Sequence, residues 1–483
     1  MEGVPAIKIG RRRASKSSLD LGIQAGGIAI ERVILDRMAD RPSVRPRTGF
    51  SWNVLVRALR HRNYRLFFGG QGISLIGTWM TRVATGWLVY RLTGSAFLLG
   101  LVSFAGQIPI LFLGPFAGVW VDRLNRHRVL IFTQILSMLQ SFALAILALL
   151  GIITVTEVIL LNLFQGAVNA FDMPARQAFL VEMVEDKQDL GNAIALNSSL
   201  VNAARLIGPS IAGTLIAVVG EGYCFLIDGI SYLAVIASLF AMVVTVQAST
   251  RVHESVLAEL REGWDYVRGF RPISSILLLL AVISLVGMPY TALMPIFAGR
   301  ILHGGAHTLG FLMGAVGVGA LIGAVRLAAR TTVLGLGRVL PMTAAGFGAS
   351  LIAFSASRQL WLSLLLLVVT GFCFMQQMAS SNTILQTIVE NKKRGRVMSF
   401  YSISFQGIAP FGSLIAGAAA SRIGAPYTLM IGGAICIVGA ALFALQLPAI
   451  RKLIRPIYAQ MGIIPEVAQG LHAATALRQQ SEE

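Results

Sequence analysis

The chain repeats itself, and the repeat lies in its apolar part. Residues 191–239 and 395–443 align at an offset of 204, so that Gly208, Gly213, Gly220, Tyr223 and Gly229 fall on Gly412, Gly417, Gly424, Tyr427 and Gly433. A second block, 166–187 against 371–392, aligns at an offset of 205 and pairs Val184-Glu185 with Val389-Glu390. Glycine is used where helices approach closely, so matching glycines in long apolar segments imply matching helix contacts. Two similar halves of several apolar spans each are the pattern of carriers built by duplication rather than of enzymes.

The apolar share sets the solvent. Charged residues make up 13% of the chain, apolar ones 55%, and mean hydropathy is +0.72. A soluble chain cannot bury that much apolar surface, so the fold class is all-α integral membrane protein. About 20 apolar residues are needed per spanning helix. Twelve such segments stand near 65–90, 96–121, 129–150, 156–178, 194–219, 222–245, 273–297, 308–329, 338–356, 360–382, 397–420 and 424–447. They group as two pseudo-symmetric six-helix bundles, 63–245 and 273–447. Alternating strand patterns of barrel type are absent from the sequence.

Net charge is +18, and its placement points to a membrane rather than to nucleic acid. Arg123, Arg126, Arg128, Lys187, Arg251, Arg261, Arg268, Arg271, Arg326, Arg330, Arg338, Lys392, Lys393, Arg394 and Arg396 fall on loops of one side. The other side holds only Arg91, Arg300, Arg358 and Arg422. The positive-inside rule then places both termini in the cytoplasm. Residues 1–62 read as a basic cytoplasmic tail with Arg11-Arg12-Arg13 near its start and the lipid surface as its partner, Met38 being an alternative start. Residues 246–272 break the apolar run. Leu257, Leu260, Trp264 and Val267 form one stripe there, which predicts a cytoplasmic amphipathic linker helix between the halves. Residues 448–483 read as a cytoplasmic C-terminal tail with a short helix over 450–461.

Two helical stripes carry most of the buried polarity. In span 1, Gln71, Ser74, Thr78, Thr81 and Thr85 recur at steps of three and four; in span 4, Asn162, Gln165, Asn169, Asp172 and Arg176 do the same. An Arg or Asp facing lipid at mid-span costs about 2.5–3.5 kcal/mol, so these faces are expected to line a shared cavity or a hydrogen-bonded packing seam. Span 10 adds Thr370, Gln377 and Ser380, whereas span 7 offers only Ser284 and Thr291. Arg82, Arg205 and Asp228 are further charges inside spans. Similar depth makes Arg82 the first candidate partner for Asp228, leaving Arg205 to face the cavity. Asp172 and Arg176, one turn apart, form either a local ion pair or a substrate contact. A positive lining of Arg82, Arg176 and Arg205 would suit an anionic cargo.

The remaining chemistry is sparse. The six histidines, His61, His127, His253, His303, His307 and His472, lie in loops or tails, and Cys224, Cys373 and Cys436 lie in apolar spans without a CxxC partner. No metal cluster, no cofactor site, no catalytic constellation and no GxxxxGK[ST] loop is expected. Transport would therefore be driven by an ion gradient or by the cargo gradient.

Between spans 2 and 3 stands Gly118-Val-Trp-Val-Asp122-Arg123-Leu-Asn125-Arg126-His127-Arg128. This resembles the GxxxDRxGRR loop of the major facilitator superfamily, with Asn125 in place of the second glycine. The resemblance implies a gating latch on Gly118, Asp122, Arg123, Arg126 and Arg128. The matching position of the second half reads Gly323-Ala-Val-Arg326, with the charge reversed. Gly77-Thr-Trp79-Met, Trp87-Leu-Val-Tyr-Arg-Leu-Thr-Gly94, Asp172-Met-Pro174-Ala-Arg176, Asn192-Ala-Ile-Ala-Leu-Asn197 and Ala204-Arg205-Leu-Ile-Gly208-Pro209 are similar to the bacterial drug:proton antiporter branch that includes the enterobactin exporter and macrolide efflux proteins. That likeness implies a monomeric multi-pass protein of the bacterial inner membrane that exports a drug, macrolide or siderophore in exchange for protons. Gly208, Pro209 and Gly213 keep part of the family's helix-bending motif, with Ala212 replacing one of its glycines. Asn162 stands where related antiporters carry a coupling Arg, so proton coupling would fall to Asp172 or Asp228, or be absent. Rival expectations are a metabolite facilitator or importer on the same fold, and a non-transporting membrane protein.

Overall fold

Long apolar runs punctuated by glycine and capped at loops become helices, and among the described residues every element is helical. The computed structural model describes residues 56–244, 256–330, 332–390, 393–461 and 463. The expectations for residues 1–55 of the N-terminal tail, for 245–255 and for the end of the C-terminal tail lie outside the described residues. The first half comprises α1 (Arg62–Thr93), α2 (Ala96–Arg123), α3 (Arg126–Leu149), α4 (Val155–Glu182), α5 (Leu190–Val219) and α6 (Glu221–Phe240). Helix α7 (Val256–Gly269) follows. The second half comprises α8 (Arg271–Ile301), α9 (Ala306–Ala328), α10 (Leu336–Ala356), α11 (Leu360–Ile388), α12 (Arg394–Ile423) and α13 (Ala425–Gln460).

Ten of these helices are long and apolar enough to cross a membrane. The two remaining long ones, α1 with 32 residues and α4 with 28, are the helices with the polar stripes. Their length suffices to span at 1.5 Å per residue. Their polarity sets them apart.

The repeat is realised in packing. In the first half α1 packs on α5 and α6, α2 on α4, and α3 on α4 and α6. The second half reproduces this with α8 on α13, α9 on α11, and α10 on α11 and α13. Across the halves α5 packs on α9 and α12 on α2, two contacts related by the same repeat. The chain reversals match as well: Gly220 has φ 90° and ψ 172°, and Gly424 has φ 88° and ψ 152°. Only glycine adopts that backbone without strain, which accounts for the repeat of the residue.

Two expectations are modified. The segment 450–461 does not form a separate helix, because α13 runs without a break from Ala425 to Gln460 over 36 residues. Its Pro448 and Pro456 leave the helix intact. The linker helix α7 uses its apolar stripe against protein: Trp264 stacks on Phe400 at 5.9 Å, Val267 is buried, and Glu262 pairs with Arg396 of α12.

Candidate functional site

The two ends of the molecule differ. At the end opposite the basic loops the halves meet backbone to backbone. A Cβ on Gly213 would lie 2.8 Å from Gly310 Cα, and a Cβ on Gly417 would lie 3.0 Å from Gly100 Cα. Tyr90 fills the space beside Gly299, and Pro295 lies 3.4 Å from a Cβ placed on Gly86. Halfway along, Gly317 of α9 approaches Leu206, and Gly407 of α12 approaches Leu111. Toward the basic end, Gly114, Gly118, Gly191 and Gly395 meet nothing within 4 Å. The halves are therefore sealed against each other toward one end, and these four glycines of the basic end take part in no crossing.

The polar stripes are placed mainly in seams within each half. On α1, Thr81 donates to Asp228 Oδ2 of α6 at 2.8 Å, and Gln71, Ser74 and Thr85 are buried. Gly77 lets α6 come close, since a Cβ there would lie 2.7 Å from Asp228 Oδ1 and Ser231 Oγ. Thr78 turns its hydroxyl to the carbonyl of Ser74. On α4, Gln165 donates to Ser137 of α3 and to Asn169, while Asn162 bonds its own Val158 carbonyl. On α11, Gln377 accepts from Thr343 and Thr370 donates to Ser350, both partners lying on α10. Ser380 is fully buried. Helical spacing puts such residues on one face, and here that face meets a neighbouring helix.

The carboxylates separate into different settings. Asp172 accepts from Thr133 at 2.9 Å and Gln134 at 2.7 Å and pairs with Arg176. The Asp172–Arg176 alternative of a local ion pair is thus the one formed. Asp228 accepts from Thr81 and from Ser141 at 2.9 Å, and its Oδ1 is buried without a hydrogen-bond partner. The expected Arg82–Asp228 pair is corrected. Arg82 lies instead over the Trp79 ring at 4.7 Å, on the face of α1 that looks toward the second half. Arg205 of α5 lies over the same ring at 5.2 Å.

A row on α3 was missed at the sequence level. Thr133, Gln134, Ser137, Gln140 and Ser141 are all buried and link the Asp172 region to the Asp228 region. The signal was available, because these residues recur at steps of three and four. Their hydroxyls and amides are individually unremarkable in a helix that passes as apolar.

The α2–α3 loop forms a charge cluster. Arg126 reaches Asp122 at 2.9 Å and also pairs with Glu182 at the end of α4. Asn125, which departs from the family pattern, caps α3 by accepting from the Arg128 N–H at 3.1 Å. Arg123 and Arg128 are exposed, and Gly118 faces open space. Pro209 sits inside α5, and Gly208 beside it permits the approach of α1, since a Cβ there would lie 2.5 Å from Trp79 Cβ. In the second half Arg326 lies over Phe372 at 5.5 Å.

Beside this cluster, Asp189 gathers Arg57, Arg60 and His61 at the start of α1, with Arg60 at 2.9 Å and His61 at 3.0 Å. Its side chain is 1% exposed. Burial alone would raise its carboxyl, but the His61 and Arg60 hydrogen bonds and the Arg57 charge outweigh it and hold it below the ordinary carboxylate value. A groove lined by Trp87, Arg91, Leu149 and Glu221 lies at the sealed end, around the Arg91–Glu221 pair, away from the arginines on Trp79. Among the described residues no group of three or more His, Cys, Asp or Glu could hold a metal ion.

Comparison with known proteins follows the same lines. The family model described as transmembrane secretion effector matches residues 56–461. A staphyloferrin A transporter of Staphylococcus aureus is 26% identical over 77% of this chain and 94% of its own length. The multidrug efflux pump Tap of Mycolicibacterium fortuitum is 27% identical over 73% and 88%. Macrolide efflux protein A of Streptococcus pyogenes is 24% identical over 82% and 99%. Among solved structures, an inward-facing, unoccupied bacterial homologue of the lysosomal transporter Spinster superposes with a TM-score of 0.59 at 13% identity, covering 83% of this chain and 98% of that one. The nucleoside transporter NupG superposes with a TM-score of 0.63 at 12% identity, covering 80% and 99%.

Proposed function

Since the chain belongs to the transmembrane secretion effector family of the major facilitator superfamily, we propose that it is a secondary exporter that moves a small amphipathic molecule, a drug, macrolide or siderophore, out of the cytoplasm in exchange for protons. The observation that carries this reading is the unequal closure of the two ends. Paired glycine crossings, Gly213 on Gly310 and Gly417 on Gly100, join the halves at one end, while Gly118, Gly191 and Gly395 stand clear at the other. A carrier resting at one end of the alternating-access cycle has this asymmetry.

In this reading the halves 63–245 and 273–447 rock against each other, with the linker 246–272 and both termini in the cytoplasm, as the basic loops favour. The protein works as a monomer. Cargo enters from the basic end and meets the faces of α1 and α5 that carry Arg82 and Arg205. Asp228 is the proton carrier. Asp172 is the poorer candidate, because Arg176 already balances its charge. Asp228 has hydroxyl partners and no ion-pair partner among the described residues, so a proton can join it without breaking a salt bridge.

Retention of labelled drugs and siderophores in cells with and without the protein tests the reading. Lower retention that a protonophore abolishes supports proton-driven export. A second reading, a metabolite facilitator on the same fold, is favoured by Asn162 in place of the usual coupling arginine. Cargo movement down its gradient with no protonophore effect would select it.

A further inference from the structure

Two cations share one ring inside the membrane part of this protein. Arg82 of α1 and Arg205 of α5 both lie over Trp79, at 4.7 and 5.2 Å from its centroid. Helix α5 reaches the indole because residue 208 is glycine, with a Cβ there only 2.5 Å from Trp79 Cβ. Two guanidiniums held over one ring repel each other, and an anion between them relieves that repulsion. The nearby acids do not provide it: Asp228 takes the hydroxyls of Thr81 and Ser141, Asp172 pairs with Arg176, and Glu221 pairs with Arg91. Among the described residues neither guanidinium has an ion-pair partner, and Arg205 Nε is buried with no hydrogen-bond partner.

The pair is also accessible. Arg82 is exposed although it sits well inside a 32-residue helix, and Arg205 is half-buried. The second half borders the same space. Tyr290 of α8 is an electrostatic neighbour of Arg205, and Gly317 of α9 passes 3.4 Å from the Arg205 carbonyl oxygen when given a Cβ. Tyr232, the other electrostatic neighbour of Arg82, is a neutral phenol.

We propose that Arg82 and Arg205, seated on Trp79, bind the anionic end of the cargo, and that this cargo is an amphipathic molecule bearing a carboxylate. Guanidinium forks match the two oxygens of a carboxylate, and the indole keeps both forks oriented while offering apolar surface to the rest of the molecule. Arg176 does not belong to the subsite, since Asp172 has claimed it. The assignment rests on the exporter reading for direction of transport alone; binding is a separate matter.

The test uses the full chain in neutral-lipid nanodiscs with naphthoate as probe and naphthamide as its uncharged counterpart, measured by calorimetry. Naphthoate is expected to bind at least tenfold more tightly than naphthamide, and added salt should weaken it. Arg82→Gln and Arg205→Gln should each weaken naphthoate at least tenfold while leaving naphthamide unchanged. Arg205→Lys, which keeps the charge in a protein of unaltered thermal midpoint, should recover part of the affinity. Equal binding of the two probes, or naphthoate binding unchanged in both glutamine variants, would overturn the subsite. Loss of naphthoate binding in phosphatidylglycerol nanodiscs would reassign the arginines to a lipid headgroup and overturn the cargo assignment. Naphthoate that binds through the arginines but is not moved across proteoliposomes would uphold the subsite and count against the exporter reading.

Discussion

Gly213 of α5 and Gly310 of α9 meet so closely that a Cβ on Gly213 would lie 2.8 Å from Gly310 Cα. The repeat copies this crossing as Gly417 of α12 on Gly100 of α2. Both joins lie toward the same end, and both are backbone contacts that no larger residue could enter without separating the helices. Closure of that end thus depends on residues with no side chain.

Substituting Gly213→Leu should keep the sealed end apart. We expect transport to fall at least tenfold while the protein still reaches the membrane, read by efflux and by membrane abundance in the same cells. Gly100→Leu should do the same through the related crossing. Normal efflux in either variant would show that this closure is not part of the cycle.

Asp122→Asn should cut transport severely without removing the protein from the membrane. Arg126 bridges Asp122 and Glu182, so Arg126→Gln is expected to match it. Near-normal efflux in both would detach the α2–α3 cluster from gating.

Asp228→Asn preserves an acceptor for Thr81 and Ser141 but cannot exchange a proton. Efflux measured across a pH series should lose its pH dependence in this variant, whereas Asp172→Asn should instead lower the thermal midpoint by stranding Arg176. A pH profile identical to that of the parent protein would return Asp228 to a structural role.

The Asp189 cluster gives a pH dependence of stability. Its carboxyl titrates below the ordinary value of 3.8, so the folded state favours the ionised form. That contribution is fully present above the ordinary value and is lost as pH falls through the lowered one. The parent protein should therefore exceed Asp189→Asn in thermal midpoint at neutral pH, and the difference should shrink in acid below about 3.8. A difference independent of pH would point to packing.

Deleting residues 1–50 should leave efflux intact, because Arg57, Arg60 and His61 remain to anchor the start of α1 on Asp189. Lost efflux in a correctly inserted protein would give the tail a part in transport.

Much of the architecture could be read before any coordinates. Of the glycines that align 204 residues apart, Gly213 and Gly417 each make one side of a crossing between the halves, and Gly220 and Gly424 make the paired φ-positive reversals, because such contacts demand glycine itself. The stripes of α1 and α4 were visible too, as were the polar groups of α11. Their partners were not. Thr81 and Arg82 are adjacent in sequence, yet one bonds Asp228 within the first half and the other stands over Trp79 toward the second. Depth in the membrane suggested an Arg82–Asp228 pair, but adjacent helical residues point about 100° apart, and depth carries no information on direction.

The sequence alone determined that this chain spans a membrane with long helices, that its two parts share one packing scheme, and where glycine must lie between helices. Hydropathy, helical period and the absence of a side chain are local properties, and they survive being read one segment at a time. Only the tertiary structure decided that the polar faces of α1 and α4 turn into seams, that Asp172 pairs with Arg176 while Asp228 accepts from the hydroxyls of Thr81 and Ser141, and that Arg82 and Arg205 converge on Trp79. Those outcomes depend on which neighbour each face meets, and that is fixed by non-local packing of helices far apart in the chain.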